Sequence, residues 1–222
     1  MRPIVTGLLA TLLAAPAANA AVLINGSFEL GDPQPATGSF NTLGVGNTDV
    51  TGWTVVSGSI DWINEYWQAQ DGTHSIDLAG NEPGAIEQTI DTVAGQLYTV
   101  NYWLSGNPDG GDQAKQAIIA AIDGTTVVAS STITGLQGAS RDDMQYLLNT
   151  FQFTAAGATT TLRFTSNAGE GAFGTALDAV SIAASGQNLV PEPSTWAMAM
   201  VGFGVVGAAM RRRHSRRPRQ MA

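Results

Sequence analysis

From Leu97 to Leu104 the chain reads Leu-Tyr-Thr-Val-Asn-Tyr-Trp-Leu, so Tyr98, Val100, Tyr102 and Leu104 share one face of an extended strand. The same period of two returns at Thr160–Phe164, where Leu162 and Phe164 oppose Thr161 and Arg163. Strands are expected at Gly52–Val56, Ser59–Ile63, His74–Ala79, Ala85–Ile90, Leu97–Ser105, Ala117–Asp123, Thr126–Ile133, Leu147–Thr154, Thr160–Ser166 and Ala176–Ala183, with a further short one at Ser39–Leu43. Asp71-Gly72, Asp109-Gly110 and Asp123-Gly124 supply residues that tolerate positive φ, and Asp123-Gly124 reads as a tight hairpin. Asn107–Asp112 is too polar and glycine-rich for a strand and reads as an exposed loop. The pattern implies an all-β chain with two antiparallel sheets, and no repeat of solenoid or propeller length is visible.

Both ends differ from this middle. Residues 1–20 place Arg2 before an apolar run and finish in Ala18-Asn19-Ala20, the small-x-small pattern of a secretory signal peptide; the alternative is an ordinary N-terminal helix. At the other end, Ser194–Met210 is apolar or small throughout, long enough for a helix of roughly 26 Å, slightly short of a hydrocarbon core. Six arginines follow between Arg211 and Arg219, and such a cluster stays on the cytoplasmic side. The expected organisation is a signal peptide at 1–20, a β-sandwich ectodomain at 21–186, a linker at 187–193, a transmembrane helix at 194–210 and an Arg-rich cytoplasmic tail at 211–222. Gly202-Phe203-Gly204-Val205-Val206-Gly207 matches a dinucleotide-binding fingerprint, but it lies inside the apolar span without a strand–turn–helix around it.

Pro191-Glu192-Pro193, the apolar span and the arginines, in that order, resemble the PEP-CTERM sorting signal. The resemblance implies recognition by an exosortase, which would cut near Pro191, Glu192 and Pro193 and release or re-anchor the ectodomain. Signal peptidase and the inner membrane would then be partners in transit, and the final location would be the cell surface or the extracellular space. A simple single-pass anchor is the alternative.

Between residues 21 and 190 stand seventeen acidic residues against three basic ones, Lys115, Arg141 and Arg163, a formal charge of −14. Such a surface excludes nucleic acid as a partner and suits an extracellular domain or one that binds divalent cations. With no cysteine, the chain can form no disulfide, cysteine-based metal site or thiol nucleophile.

Several ordered pieces resemble the choice-of-anchor C family, a galactose-binding-like group. They are Asn25-Gly26-Ser27-Phe28-Glu29, Gly52-Trp53, Ser59–Ile63, Asp71–Gly80, Gly84–Ile90, Gly95–Asn107 and Ala176–Ser181. The resemblance implies a jelly-roll β-sandwich at the cell surface and no specific activity. Many jelly rolls of this kind hold a structural calcium ion, and the matching ligand positions are Glu29 and Asp178, completed by carbonyls of Ser27 or of the Asp71–His74 turn. The alternative is that both are capping or turn carboxylates without metal.

Trp62-Ile63-Asn64-Glu65-Tyr66-Trp67 is the richest aromatic segment. Tyr66, Trp67, Gln68, Asn81 and Asn107 are candidates for a glycan site, with aromatic faces for sugar rings and amides for hydroxyls. The competing reading puts Trp53, Trp62 and Trp103 in the core, with Tyr66 or Trp67 covering a sheet edge. Catalysis has little support. No local pattern singles out a carboxylate pair, His74 is the one histidine outside the tail, and no Gly-x-Ser-x-Gly elbow occurs. The leading expectation is a non-enzymatic surface or matrix protein associated with exopolysaccharide or biofilm. A carbohydrate-binding module and a secreted hydrolase are the alternatives.

Overall fold

Period-two runs become strands throughout the described region. The structure, a computed structural model, describes residues 21–111, 114–137, 140–167 and 171–185. The expected signal peptide, the linker with Pro191, Glu192 and Pro193, the apolar span and the arginine tail lie outside them. Among the described residues no helix is long and apolar enough to cross a membrane.

The strands are β1 (Ser39–Gly44), β2 (Thr54–Ser57), β3 (Ser59–Asn64), β4 (His74–Asp77), β5 (Ala85–Asp91), β6 (Leu97–Gly106), β7 (Lys115–Asp123), β8 (Thr126–Leu136), β9 (Leu147–Thr154), β10 (Thr159–Ser166) and β11 (Thr175–Ala184). They form two antiparallel sheets, one ordered β1-β3-β4-β11-β6-β9 and the other β2-β5-β10-β7-β8. This is a jelly-roll sandwich: neighbours in each sheet are mostly distant in sequence. Asp123-Gly124 makes the tight β7–β8 hairpin, with Asp123 opposite Thr126 and Gly124 at φ 58°.

The inner faces meet in one core. Tyr98, Val100, Tyr102 and Leu104 point into it from β6, and Leu162 and Phe164 from β10. Trp53 and Trp62 are fully buried there, each contributing about 1.5–3 kcal/mol by leaving water. Trp103 is the exception to the expected tryptophan core. It alternates with Tyr102 and Leu104, faces outward and is half-buried.

β3 and β4 are buried on both faces, which hides their alternation. Ile60, Trp62 and Ile76 face the main core. On the opposite face Ile63 joins Trp67, Met144 and Ala176 in a second, smaller apolar cluster, with Tyr66 and Tyr146 packed against it. Segments outside the strands therefore roof part of the outer face of the six-stranded sheet.

Residues 21–30 form no strand; Asn25 and Phe28 adopt positive φ, and Trp53 and Trp62 donate their ring N–H groups to the carbonyls of Asn25 and Phe28. Asn107–Asp112 is not simply an exposed loop: Pro108–Gly110 forms a 3-10 turn capped by a buried Asn107. There the positive φ falls on Gly111, not on Gly110.

Candidate functional site

The outer face of the six-stranded sheet is read off its register. Thr42 pairs with Asp61, Asp61 with Asp77, Asp77 with Ala176, and Ala176 with Ser105, so these residues form one row across the strands. The adjacent row runs Phe40, Ile63, Ser75. Where the roofing segments stop short, a pocket of about 190 Å³ opens over these rows. Tyr66, Trp67, Asn81 and Asn107, drawn from three separate stretches of the chain, all line it. Gln68 lies instead in a neighbouring pocket of about 410 Å³ beyond Tyr66.

Aromatic residues make its walls. Phe40 and Phe173 line it while remaining 39% and 45% exposed, large apolar surface left uncovered. Tyr66 stands edge-on to Phe40, with ring centres 5.1 Å apart. Trp67 plays a different part from the exposed stacking platform expected of it. It is only 3% exposed, packs in the second cluster and donates its ring N–H to Ser75 Oγ at 2.8 Å, so it forms floor rather than rim.

Tyr66 is held from outside. The Arg141 guanidinium lies 4.0 Å over its ring and grips Asp109 through Nε and Nη2 at 2.9 and 2.8 Å. The Tyr66 hydroxyl donates to Asp109 Oδ2 at 2.9 Å and accepts from Arg141 Nη2. Partial burial pushes the Asp109 carboxyl up, but the hydrogen bonds from Arg141 and Tyr66 outweigh it and hold Asp109 below the usual carboxylate range. Burial, then the bond to Asp109, pushes the Tyr66 hydroxyl up, so it stays protonated.

The floor is acidic. Asp77 is fully buried and accepts from Asn107 Nδ2 at 2.7 Å and from the amides of Ala79 and Gly174 at 3.0 and 3.1 Å. Asn107 accepts in turn from the Asp109 amide at 2.8 Å, which fixes its side-chain orientation. Burial pushes Asp77 up to about 7 despite its three N–H donors, and the charge of Asp61 adds to the effect. Asp61 is 8% exposed and also raised by burial. Its Oδ1 accepts from Thr42 Oγ1 at 2.6 Å, and its Oδ2 has no hydrogen-bond partner among the described residues. No basic side chain occurs among the described residues lining the pocket.

Sequence reasoning missed Phe40, Asp61, Asp77, Asp109 and Phe173. A signal existed for two of them. Ser-Ile-Asp occurs at 59–61 and again at 75–77, each in an apolar run, and a strand that buries the Ile must send the Asp to the opposite face.

Glu29 and Asp178 meet at a different place, the Gln70–His74 turn. Glu29 Oε1 accepts from the amides of Thr73 and His74 at 2.8 and 2.7 Å, and Oε2 from Thr73 Oγ1 and His74 Nδ1 at 3.0 and 2.9 Å. Burial raises its pKa, but the His74 and Thr73 bonds prevail and hold it below the ordinary glutamate value. Asp178 Oδ2 accepts from the amides of Gln70 and Asp71 at 2.7 and 3.0 Å, and Oδ1 from that of Ala179 at 2.6 Å. A bulge in β11, with Ala179 at φ 48°, aims Asp178 at the turn. Glycine is required at 72, where φ is 74° and a Cβ would stand 2.4 Å from the Glu29 carboxylate.

These carboxylates do not fit the expected calcium site. Calcium needs free oxygen lone pairs converging on one point, whereas both carboxylates are ringed by N–H and O–H donors whose positive ends face the oxygens. Among the described residues no group of three or more acidic or histidine side chains is placed to hold a metal. His74 does not form a triad either. Its Nδ1 is taken by Glu29 and Thr73, and its Nε2 is buried without a hydrogen-bond partner.

The jelly roll resembles TmCBM61, solved in complex with β-1,4-galactotriose (15% identity, TM-score 0.44, 73% of this chain and 97% of that one). It also resembles the CBM22-1 xylan-binding domain of Paenibacillus barcinonensis Xyn10C (16%, TM-score 0.45, 77% and 97%). The arabinose-bound α-L-arabinofuranosidase MgGH51 shares the fold over 75% of this chain and 27% of its own (12%, TM-score 0.50). In sequence, halomucin of Haloquadratum walsbyi (strain DSM 16790 / HBSQ001) is 37% identical over 164 residues. That match covers 72% of this chain but only 2% of halomucin. The PEP-CTERM protein-sorting motif matches residues 189–213, which include Pro191, Glu192 and Pro193, and marks the chain for export and cell-surface sorting. The sandwich itself matches a single family model from residue 21 to residue 183, and the chain belongs to that family, the Protein of unknown function (DUF642).

Proposed function

We propose that this protein is an exported glycan-binding protein of the cell surface or extracellular matrix, processed by an exosortase and holding exopolysaccharide through the pocket over β1, β3 and β4. The observation that carries this reading is the pocket's composition. Phe40, Tyr66 and Phe173 offer apolar ring faces beside hydrogen-bonding groups at Asn81 and Asp61. A sugar presents both an apolar C–H face and a rim of hydroxyls, and this pairing answers each. The volume, below the roughly 300 Å³ at which drug-sized pockets begin, suits a short stretch of a polysaccharide.

Hydrolysis is the competing reading, because Asp61 and Asp77 are carboxylates on neighbouring strands. Their environments argue for binding. A glycosidase pair needs two carboxyls that both reach the scissile bond. Only Asp61 offers an oxygen free of partners among the described residues; Asp77 is 1% exposed and pinned by three donors.

Pull-down on a panel of purified polysaccharides, with reducing-end assays on the same samples, tests both readings. Retention of the protein without new reducing ends, lost in Phe173→Ala, is expected. New reducing ends that vanish in Asp61→Asn would replace binding with catalysis, and retention unchanged by Phe173→Ala would remove this pocket as the site.

A further inference from the structure

The pocket's charge is unusual for a site that only accepts hydroxyls. Asp61, Asp77 and Asp109 lie along one small cavity, and the described lining contains no basic side chain. Among the described residues only Asp109 is matched by a cation, Arg141, which lies on the outer side of Tyr66. Asp77 is satisfied by neutral N–H donors, which meet its hydrogen-bonding needs but carry no net charge. Asp61 lines the pocket with less than a tenth of its surface exposed and accepts one hydrogen bond there, from the neutral Thr42 hydroxyl. A carboxylate so largely withdrawn from water gains from a cationic partner.

The walls favour the same kind of ligand. Ring faces attract cations through their quadrupole, and Phe40, Tyr66 and Phe173 surround the acidic floor. The ectodomain, with seventeen acids against three bases, draws cations at long range and repels uronates.

We propose that the pocket takes a sugar unit carrying a free ammonium group, a hexosamine whose amine is not acetylated, with the ammonium seated on Asp61 and the ring against Phe40 and Phe173. This rests on the glycan-binding reading and specifies its ligand. An ammonium supplies the donors and the charge that Asp61 lacks, and an N-acetyl group at the same position would bring bulk and no charge.

Calorimetry on the full-length protein at mildly acidic pH tests it with four probes: glucosamine tetramer, N-acetylglucosamine tetramer, a neutral galactose tetramer and a galacturonate tetramer. The glucosamine tetramer is expected to bind about tenfold or more tighter than the others, as a charge-assisted bond requires. That preference should be lost in Asp61→Asn and weakened by added salt in the wild type, a measurement that does not depend on the variant folding. Equal binding of the charged and neutral tetramers, or salt-independent affinity for the glucosamine tetramer, overturns the ammonium inference and leaves glycan binding standing. Absence of binding by all four probes and by the polysaccharide panel overturns both.

Discussion

Asp61 and Asp77 are direct cross-strand partners on the outer face of β3 and β4, and both carboxyls are held above their ordinary range, chiefly by burial. Asp77 is raised to about 7, and Asp178, desolvated within β11, is also raised to about 7. Between the ordinary carboxylate value and about 7, the folded chain keeps protons that the unfolded chain has released. Stability should therefore be greatest on the acid side, fall as pH rises through that window, and level off above it. For each group the fall is on the order of a few kcal/mol. Urea unfolding at a series of pH values would show it, and Asp77→Asn should flatten the slope. Stability that rises from about pH 4 to 7 would contradict the assignment.

Phe173 is 45% exposed and touches the pocket, so removing its ring should cost binding without costing the fold. Phe173→Ala is expected to leave the melting temperature within about 1–2 °C, since exposed substitutions usually change stability by less than about 0.5 kcal/mol. Affinity for the retained polysaccharide should fall about tenfold. A matched loss of both would mean that Phe173 is structural.

Arg141 acts on the pocket through Tyr66. Its ion pair with Asp109 is partly exposed and is worth at most about 1 kcal/mol. Arg141→Ala should hardly move the unfolding midpoint but should free the Tyr66 ring and weaken glycan binding several-fold. Arg141→Lys keeps the charge but not the flat, two-pronged contact, and is expected to rescue little. Full rescue by lysine would show that charge alone matters.

Glu29 and Asp178 clamp one turn from opposite ends of the described chain. Asp178→Ala strips three backbone amides of their acceptor. At about 1–3 kcal/mol for each buried group left unpaired, a loss of about 3 kcal/mol or more is expected. Limited proteolysis should then cut at Gln70–Thr73 first. Because donors already occupy these oxygens, the wild-type melting temperature is expected to be the same in excess calcium and in chelator. A rise of several degrees in calcium would show that the ion displaces those donors.

The strands were legible because alternation is a local property. β6 and β10 declare their inward faces residue by residue, and Asp123-Gly124 marks its own hairpin. β3 was legible as a strand but not as a floor. Its burial runs unbroken from Ser59 to Ile63, and only the roof of Trp67 and Met144 reveals that Asp61 and Ile63 face a second layer. Tyr66, Trp67, Asn81 and Asn107 were legible as residue types suited to sugars. Phe40 and Phe173 were not, because a phenylalanine near a strand is read as core, and their exposure depends on where segments distant in sequence stop. The Asp109–Arg141 pair was invisible for the same reason, joining a 3-10 turn to a loop 32 positions away.

β11 lies in the middle of its sheet, flanked by β4 on one side and β6 on the other, and it is the last strand before the segment that carries the sorting motif. A tether attached beyond residue 185 would therefore pull on a central strand. Force along its axis would be resisted in shear by the long ladder to β6 and, at Ala176 and Leu177, by the shorter ladder to β4, instead of unzipping an edge one bond at a time. The Asp178 grip on the Gln70–Asp71 amides adds a cross-tie partway along that strand. On the proposed function, a protein held beyond residue 185 while gripping a polymer would work under tension, and this order of strands would place the load on a central strand.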